Sequence, residues 1–223
     1  MRPLLTEPDL AERIQDALRS AICSGELAPG TRLIQDDLAR QFGVSRQPVL
    51  QAMQLLRREG FVTDSGRRGV SVAPLDADHA RNLYVVRAAL DGAAARLAAG
   101  RFVPETAERG RALIGVGRLA AERGDVPGAI EADIDFHLFI YDASGNPLLS
   151  ETAQPHWQHL RRVMGAVLGA ADLSYNVWDE HEAILAALEA RDGARAETLL
   201  RAHAENAADI LAQRLGGPGR RAA

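Results

Sequence analysis

GVSRQPVLQAMQLLRREGFV, residues 43–62, with SGRRGV at 65–70 directly behind it, is the stretch that decides the fold. Ser45 suits an N-cap, and Pro48 is tolerated in the first turn of the helix that follows. Val49, Ala52, Met53 and Leu56 recur at helical spacing and supply a buried stripe, and Gly60 stops the helix. FVTDSGRRGVSV then reads as two short strands around a tight basic turn. A helix with polar residues at its exposed N-terminal end, backed by a hairpin with a basic tip, fits the DNA major groove with the hairpin reaching the backbone.

Upstream, a first helix is expected from about Asp9 to Ser24. Leu10, Ile14, Ala17, Leu18, Ala21 and Ile22 follow a 3.6-residue period, with Thr6, Pro8 and Asp9 as start signals. SGELAPG ends it. A short second helix runs roughly from Gln35 to Phe42, broken by Gly43. Residues 1–74 therefore read as helix, helix, turn, helix, wing: a winged helix-turn-helix. APLD at 73–76 looks like a linker. Beyond it no strand pattern appears. Six helices are expected at about 77–99, 104–123, 127–143, 147–170, 177–190 and 194–214, with breaks at GRFVP, RGDVPG, SGNP, DLSYN and RDG. The fold class is mainly α: a winged domain followed by an all-α antiparallel helical bundle over 75–215. The tail GGPGRRAA, 216–223, is expected to be disordered.

The chain has 223 residues, 47% of them hydrophobic, enough to bury a core in each of two domains. Its single cysteine, Cys23, excludes an intrachain disulfide. With no signal peptide and no apolar run of about 18 residues, a reducing cytoplasmic setting with no membrane contact is expected. Net charge is −4, which argues against a uniformly basic nucleic-acid binder. The charge is uneven, however. Residues 40–70 hold six arginines (40, 46, 57, 58, 67 and 68) against two acids (59 and 64), a net of +4.

A recognition helix needs polar side chains at its exposed N-terminal end. Ser45, Arg46 and Gln47 supply them. Arg46 can fork onto guanine and Gln47 onto adenine. Arg40 adds to the basic field, and Arg67 and Arg68 at the wing tip can reach phosphates or the minor groove.

Asp133 and His137 in EADIDFHLFI are i, i+4 and project from one helical face. His181 and His203 lie on successive helices, 11 residues on either side of Asp192 in the RDG turn. In an antiparallel hairpin both then sit at one height, about 16 Å from the turn. One carboxylate and three imidazoles converging on a point suit a divalent ion: zinc first, with nickel, manganese or iron as alternatives, and one or two positions left open. His156 and His159, i, i+3 in QPHWQHL, read as helix-surface or packing residues. His79 is expected to be exposed near the linker.

Residues 1–74 resemble the DNA-binding domain of GntR-family regulators through GELAPGTRL, DDLARQFGVSRQPV and RREGFV followed by RRGVSV. Gln35 stands where that family usually carries an acid, and Leu50-Gln51 where it carries Arg-Glu. Leu50 cannot donate a hydrogen bond, so the family's usual operator half-site does not transfer. Residues 75–215 resemble the ligand-sensing FCD domain of the FadR subgroup through LYVVRAALDGAAARLAA, DIDFHLFIYDASGNPLL and DEHEAILAALEARDGARAETLLRAH. Six helices rather than seven resemble the VanR branch. The resemblance implies metal ligation by Asp133, His137, His181 and His203, a small carboxylate effector, and a homodimer on a near-palindromic operator in double-stranded DNA. Arg87 aligns with an arginine common in the first sensing helix, so it is expected to clamp the effector or, alternatively, to pair with Asp91 at i, i+4. Arg161, or else Arg162, is expected to point inward. Asn146 is expected to cap a helix.

These readings imply a transcriptional regulator, a repressor in most of the family, released or recruited by an acid bound at the metal. Two alternatives remain. A purely structural metal would serve the same regulator. A metal-dependent enzyme would need a general base, and the motif places no spare Glu or His as one.

Overall fold

The computed structural model describes residues 10–66, 69–169 and 177–216. The expected cap at Thr6, Pro8 and Asp9, the wing-tip residues Arg67 and Arg68, the DLSYN break and the tail beyond residue 216 lie outside the described residues. The chain divides into two compact units, one through Leu75 and one from Asp76.

In the first unit, α1 (Leu10–Cys23) buries Ile14, Leu18 and Ile22, one residue per turn on one face. α2 (Gln35–Phe42) ends at Gly43, whose φ of 66° is the left-handed cap that glycine adopts without a Cβ penalty. α3 (Arg46–Arg58) buries Val49, Ala52, Met53 and Leu56, the expected stripe. Ser45 holds the extended N-cap position, but its hydroxyl makes no capping bond. β2 (Val62–Ser65) and β3 (Gly69–Val72) form the wing, antiparallel, with Val62 opposite Val72 and Ser65 opposite Gly69.

A third strand had no signal in the sequence. β1 (Arg32–Leu33) pairs with β3, Leu33 opposite Val70, and gives the order β1-β3-β2. Two residues are too few to show alternation, and the partner lies nearly 40 residues away. The pairing places GVSV in the centre of the sheet, and all four of those residues are buried. Ile14, Leu18, Val49, Met53, Leu56, Phe61 and Val72 meet in one core.

The described residues of the second unit form six helices: α4 (Ala77–Ala99), α5 (Pro104–Glu122), α6 (Val126–Ser144), α7 (Pro147–Val167), α8 (Val177–Glu189) and α9 (Gly193–Gly216). The α7 helix ends three residues earlier than its periodicity suggests. Asp76 caps α4, Asp125 caps α6, and Asn146 caps α7 by accepting from the Leu148 N–H at 3.2 Å. Prolines fill the first turns of α5, α6 and α7. α4 carries Ala88, Gly92, Ala95 and Ala99 on a buried face, which lets it lie close to α9; a Cβ at Gly92 would meet the Arg201 side chain.

The α8–α9 hairpin turns at Ala190–Asp192. Arg191, rather than the following glycine, takes the left-handed conformation, with φ of 55°. Its guanidinium donates to the Phe102 carbonyl at 3.1 Å, and Asp192 accepts from the Arg195 N–H at 3.0 Å. These bonds lock a tight antiparallel hairpin, so positions equidistant from the turn come level.

Candidate functional site

Asp133 and His137 lie on the inward face of α6, His181 on α8 and His203 on α9, all buried. One ligand atom from each of the four lies within 4.8 Å of the others. His181 stacks on Phe136 at 4.3 Å between ring centres and meets Trp178 edge-on at 5.0 Å; His203 stacks on His137 at 5.2 Å. Asp133 Oδ1 is the common centre, 3.3 Å from His181 Nε2 and 3.9 Å from both His137 Nε2 and His203 Nε2.

Two carboxylates stand behind the ligands. His203 Nδ1 lies 2.7 Å from Glu180 Oε2, and His137 Nδ1 lies 3.1 Å from Asp91 Oδ2. Asp91 is fully buried and also accepts from Tyr141 Oη at 2.5 Å. A carboxylate on Nδ1 fixes the imidazole tautomer; for His203 this leaves Nε2 on the side of Asp133, whereas His137 Nε2 accepts from Arg87. Neither partner was identified as part of the centre from the sequence. Asp91 had been weighed only as the i, i+4 partner of Arg87. For Glu180 a signal did exist: it neighbours His181, and His181 is level with His203 across the hairpin.

The electrostatics are those of buried imidazoles around one anion. Burial pushes the Asp133 carboxyl up, but the hydrogen bond from His181 and the charges of His137 and Arg87 outweigh it and hold the group well below the usual carboxylate range. Burial lowers His181 to about 3 and also lowers His137, where the Arg87 charge adds to the effect. Neutral imidazoles and an ionised carboxylate are the protonation states that metal ligation requires.

The residues fit a divalent ion. Zinc–nitrogen and zinc–oxygen bonds of about 2.0–2.2 Å place ligand atoms roughly 3–4 Å apart, so four donors already gathered this closely need only small shifts. Both ring nitrogens of His181 are buried, and a metal bond would engage one of them, Nε2, which faces Asp133 at 3.3 Å. Three imidazoles and a carboxylate suit borderline cations, zinc first. Glu180 is engaged with His203, so no free carboxylate is presented there as a base.

Arg87 is buried at 3% exposure, beside this cluster. It donates to Asp91 Oδ2 at 3.3 Å and to His137 Nε2 at 2.5 Å, and it lies 3.7 Å from Asp133 Oδ2. The expected pairing of Arg87 with Asp91 is present, and the guanidinium also lies beside Asp133 and His137. Arg161 does not point inward. It is partly exposed and grips Glu131 of α6 through two bonds of 2.6 Å. Arg162 is the buried member of the pair. One residue is about 100° of rotation on a helix, and the packing of α7 selects which of the two turns inside. His156 and His159 are half-buried, and His79 is exposed with its ring edge-on to His159 at 5.6 Å.

In the winged unit, Ser45, Arg46 and Gln47 are exposed at the N-terminal end of α3, and Arg40 is exposed at the end of α2. Arg46 Nε lies 2.6 Å from Asp36 Oδ1, and Arg40 pairs with Asp37. Leu50 is half-buried and Gln51 exposed.

Comparison with known proteins decides the family. Residues 10–72 match the gntR family of bacterial regulatory proteins, and residues 82–206, more than half of the chain, match the FCD domain. The chain belongs to the GntR family of bacterial regulators. The FCD domain is consistent with the FadR subgroup. The HTH-type transcriptional repressor RspR of Escherichia coli K12 is 26% identical over 93% of this chain and 91% of its own length. A putative GntR regulator from Rhodococcus sp. RHA1 superposes with a TM-score of 0.76 at 26% identity, covering 90% of this chain and 96% of that one. Escherichia coli McbR/YncC gives 0.78 at 24% identity over 94% of this chain and 100% of its own, a likeness of fold. The relatives are transcriptional regulators rather than enzymes, and this GntR-family chain is a DNA-binding transcriptional regulator with an FCD ligand-binding domain.

Proposed function

We propose that this regulator binds double-stranded operator DNA in the cytoplasm as a homodimer, acting as a repressor, and that a small carboxylate effector sets its DNA affinity. A divalent ion, zinc first, would be held by Asp133, His137, His181 and His203. The observation that carries the reading is the meeting of these four buried ligand atoms, from three helices, within 4.8 Å of one another. When bound, the ion supplies a Lewis-acidic positive charge to which a carboxylate can coordinate.

The chain's own residues do the rest. Glu180 and Asp91 orient His203 and His137. Arg87 brings a second positive charge to the same spot, suited to a carboxylate clamp. Arg162, buried on α7, takes the inward place first assigned to Arg161. The ligands belong to α6, α8 and α9, so an acid that draws on them and on Arg87 of α4 couples four helices. It changes DNA affinity only if it binds the DNA-competent and DNA-free states unequally.

In the winged unit, Arg46 and Gln47 are the base readers, with Ser45, Arg40, Arg67 and Arg68 as backbone or groove contacts. A homodimer accounts for Val85, Val86 and Leu97, large apolar side chains exposed on α4, where they would be covered by a second copy. Two-fold symmetry then calls for a near-palindromic operator.

The test is a thermal-shift screen of small carboxylates on metal-loaded protein, with EDTA-treated protein and His137→Ala in parallel. An acid class that stabilises only the metal-loaded wild type, and also shifts affinity for a duplex selected from random DNA, is the expected result. Equal stabilisation after metal removal would make the ion structural and remove it from effector binding.

A further inference from the structure

Gln47, Gln51 and Gln54 stand at i, i+4 and i+7 along α3, and all three are exposed. At about 100° per residue they lie opposite the stripe of Val49, Ala52, Met53 and Leu56 that the helix buries in its own unit. Leu50 is half-buried beside them, on the flank it shares with Arg46 and Arg57.

The polar groups of this surface are not equally free. Arg46 Nε lies 2.6 Å from Asp36 Oδ1, and Arg57 Nη2 lies 2.8 Å from Asp64 Oδ1. Among the described residues, no hydrogen bond engages the Gln47, Gln51 or Gln54 amide, so these amides are left to solvent. Either arginine must leave a carboxylate before it can turn to a base. A glutamine leaves only water.

The chemistry of the free groups then points to particular bases. A glutamine amide offers a donor and an acceptor side by side. Adenine matches both in the major groove, with N7 accepting and N6 donating. Four residues of helix rise about 6 Å, close to two base-pair steps of about 3.4 Å, so Gln47 and Gln51 come over different pairs. Leu50 neither donates nor accepts, and the groove feature that suits such a side chain is the C5-methyl group of thymine.

We propose that Gln51 and Leu50 are specificity-determining residues that write an A·T segment into the operator. Gln51 reads an adenine about two pairs from the base read by Gln47, and Leu50 packs on a neighbouring thymine methyl. Gln54, about 10 Å beyond Gln47 along the axis, is farther from the N-terminal end of the helix and is assigned no base. The proposal rests on the reading of α3 as the base-reading helix and adds which bases it chooses.

The test selects duplexes from a random pool with full-length protein, as wild type and as Gln51→Ala, an exposed substitution that leaves the buried stripe intact. Gln51→Ala is expected to lose about 5- to 100-fold of discrimination at one pair, that pair being A·T, while preferences elsewhere persist. Fluorescence anisotropy on the selected duplex then probes wild type with base analogues. Replacing that adenine by 7-deazaadenine is expected to weaken binding about fivefold or more, and replacing the neighbouring thymine by deoxyuridine about threefold. Leu50→Ala should no longer respond to deoxyuridine. A relaxed pair that is G·C, or the same base preferences for Gln51→Ala as for wild type, overturns the proposal and leaves reading by Arg46 and Gln47 standing. Indifference of wild type to 7-deazaadenine overturns the Gln51 contact, and indifference to deoxyuridine the Leu50 contact. If wild type enriches no sequence from the pool, base reading by α3 fails and the proposal fails with it. The analogue measurements need only wild type, so they decide the matter even if Leu50→Ala does not fold.

Discussion

His203 Nδ1 and Glu180 Oε2 lie 2.7 Å apart across the α8–α9 hairpin, and Glu180 immediately precedes His181 in the chain. Two adjacent residues of α8 thus stand differently in the proposed centre: His181 is one of its four members, and Glu180 contacts the member opposite, His203. Glu180→Gln is expected to weaken metal affinity about 10- to 100-fold, with little change in helical content. Competition against a chelator of known strength measures it; an unchanged affinity would show that the contact does not tune His203.

Removing a ligand has a larger effect than removing its support. His181→Ala should abolish stoichiometric metal uptake, and metal should then no longer raise the melting temperature. For wild type, metal at about 100 times its Kd contributes roughly 2.7 kcal/mol of stability. Differential scanning calorimetry with and without EDTA reads both outcomes.

Acid should destabilise the metal-free protein early. His181 is held down to about 3 in the fold, against an ordinary value of 6.5, and His137 is also lowered. The unfolded chain therefore takes up protons that the native state refuses. The contribution of His181 is full well above pH 6.5 and falls from there toward pH 3, by at most about 1.4 kcal/mol per pH unit, and His137 acts in the same direction. Denaturant midpoints between pH 8 and pH 5 check the sign; a midpoint that rose on acidification would contradict it.

Trp178 lies directly against α5 at Gly117, where a Cβ would strike the indole. Trp178 in turn meets the His181 ring at 5.0 Å. Gly117→Ala should cost about 1–3 kcal/mol by overpacking and weaken metal binding as well. A stability loss with intact metal affinity would mean that the displacement stops at Trp178.

Arg46 is held by Asp36 at 2.6 Å on an exposed surface, so reading a base requires exchanging one anionic partner for another. Arg46→Ala should lose about 1–3 kcal/mol of binding to the preferred duplex and relax specificity at one position. Asp36→Asn should strengthen DNA binding, by roughly two- to tenfold at low salt, because a competing negative charge is removed. Fluorescence anisotropy at two salt concentrations separates the effects.

What was legible in the chain was set by local periodicity. The stripe Val49, Ala52, Met53 and Leu56, the stop near Gly60, the i, i+4 pair Asp133–His137, and the equal distances of His181 and His203 from the RDG turn all depend on helix geometry alone. That geometry holds whatever packs against the helix. It was enough to bring the four ligands together before any tertiary contact was known.

Rotation about a helix axis and pairing at long range were not legible, because neighbours set them. The choice between Arg161 and Arg162 turns on 100° of rotation, settled by the face of α7 that packs inward and by Glu131 taking Arg161. Strand β1 exists only because β3 pairs with it. Asp91 meets His137, and Trp157 meets Arg87, across dozens of residues and between separate helices. By itself the sequence determined the two-domain helical plan and the gathering of Asp133, His137, His181 and His203, since both follow from spacing along single helices or one tight hairpin. The tertiary structure alone decided which groups stand behind those residues and that Arg87 lies beside them, because those contacts arise only when α4, α6 and α7 pack together.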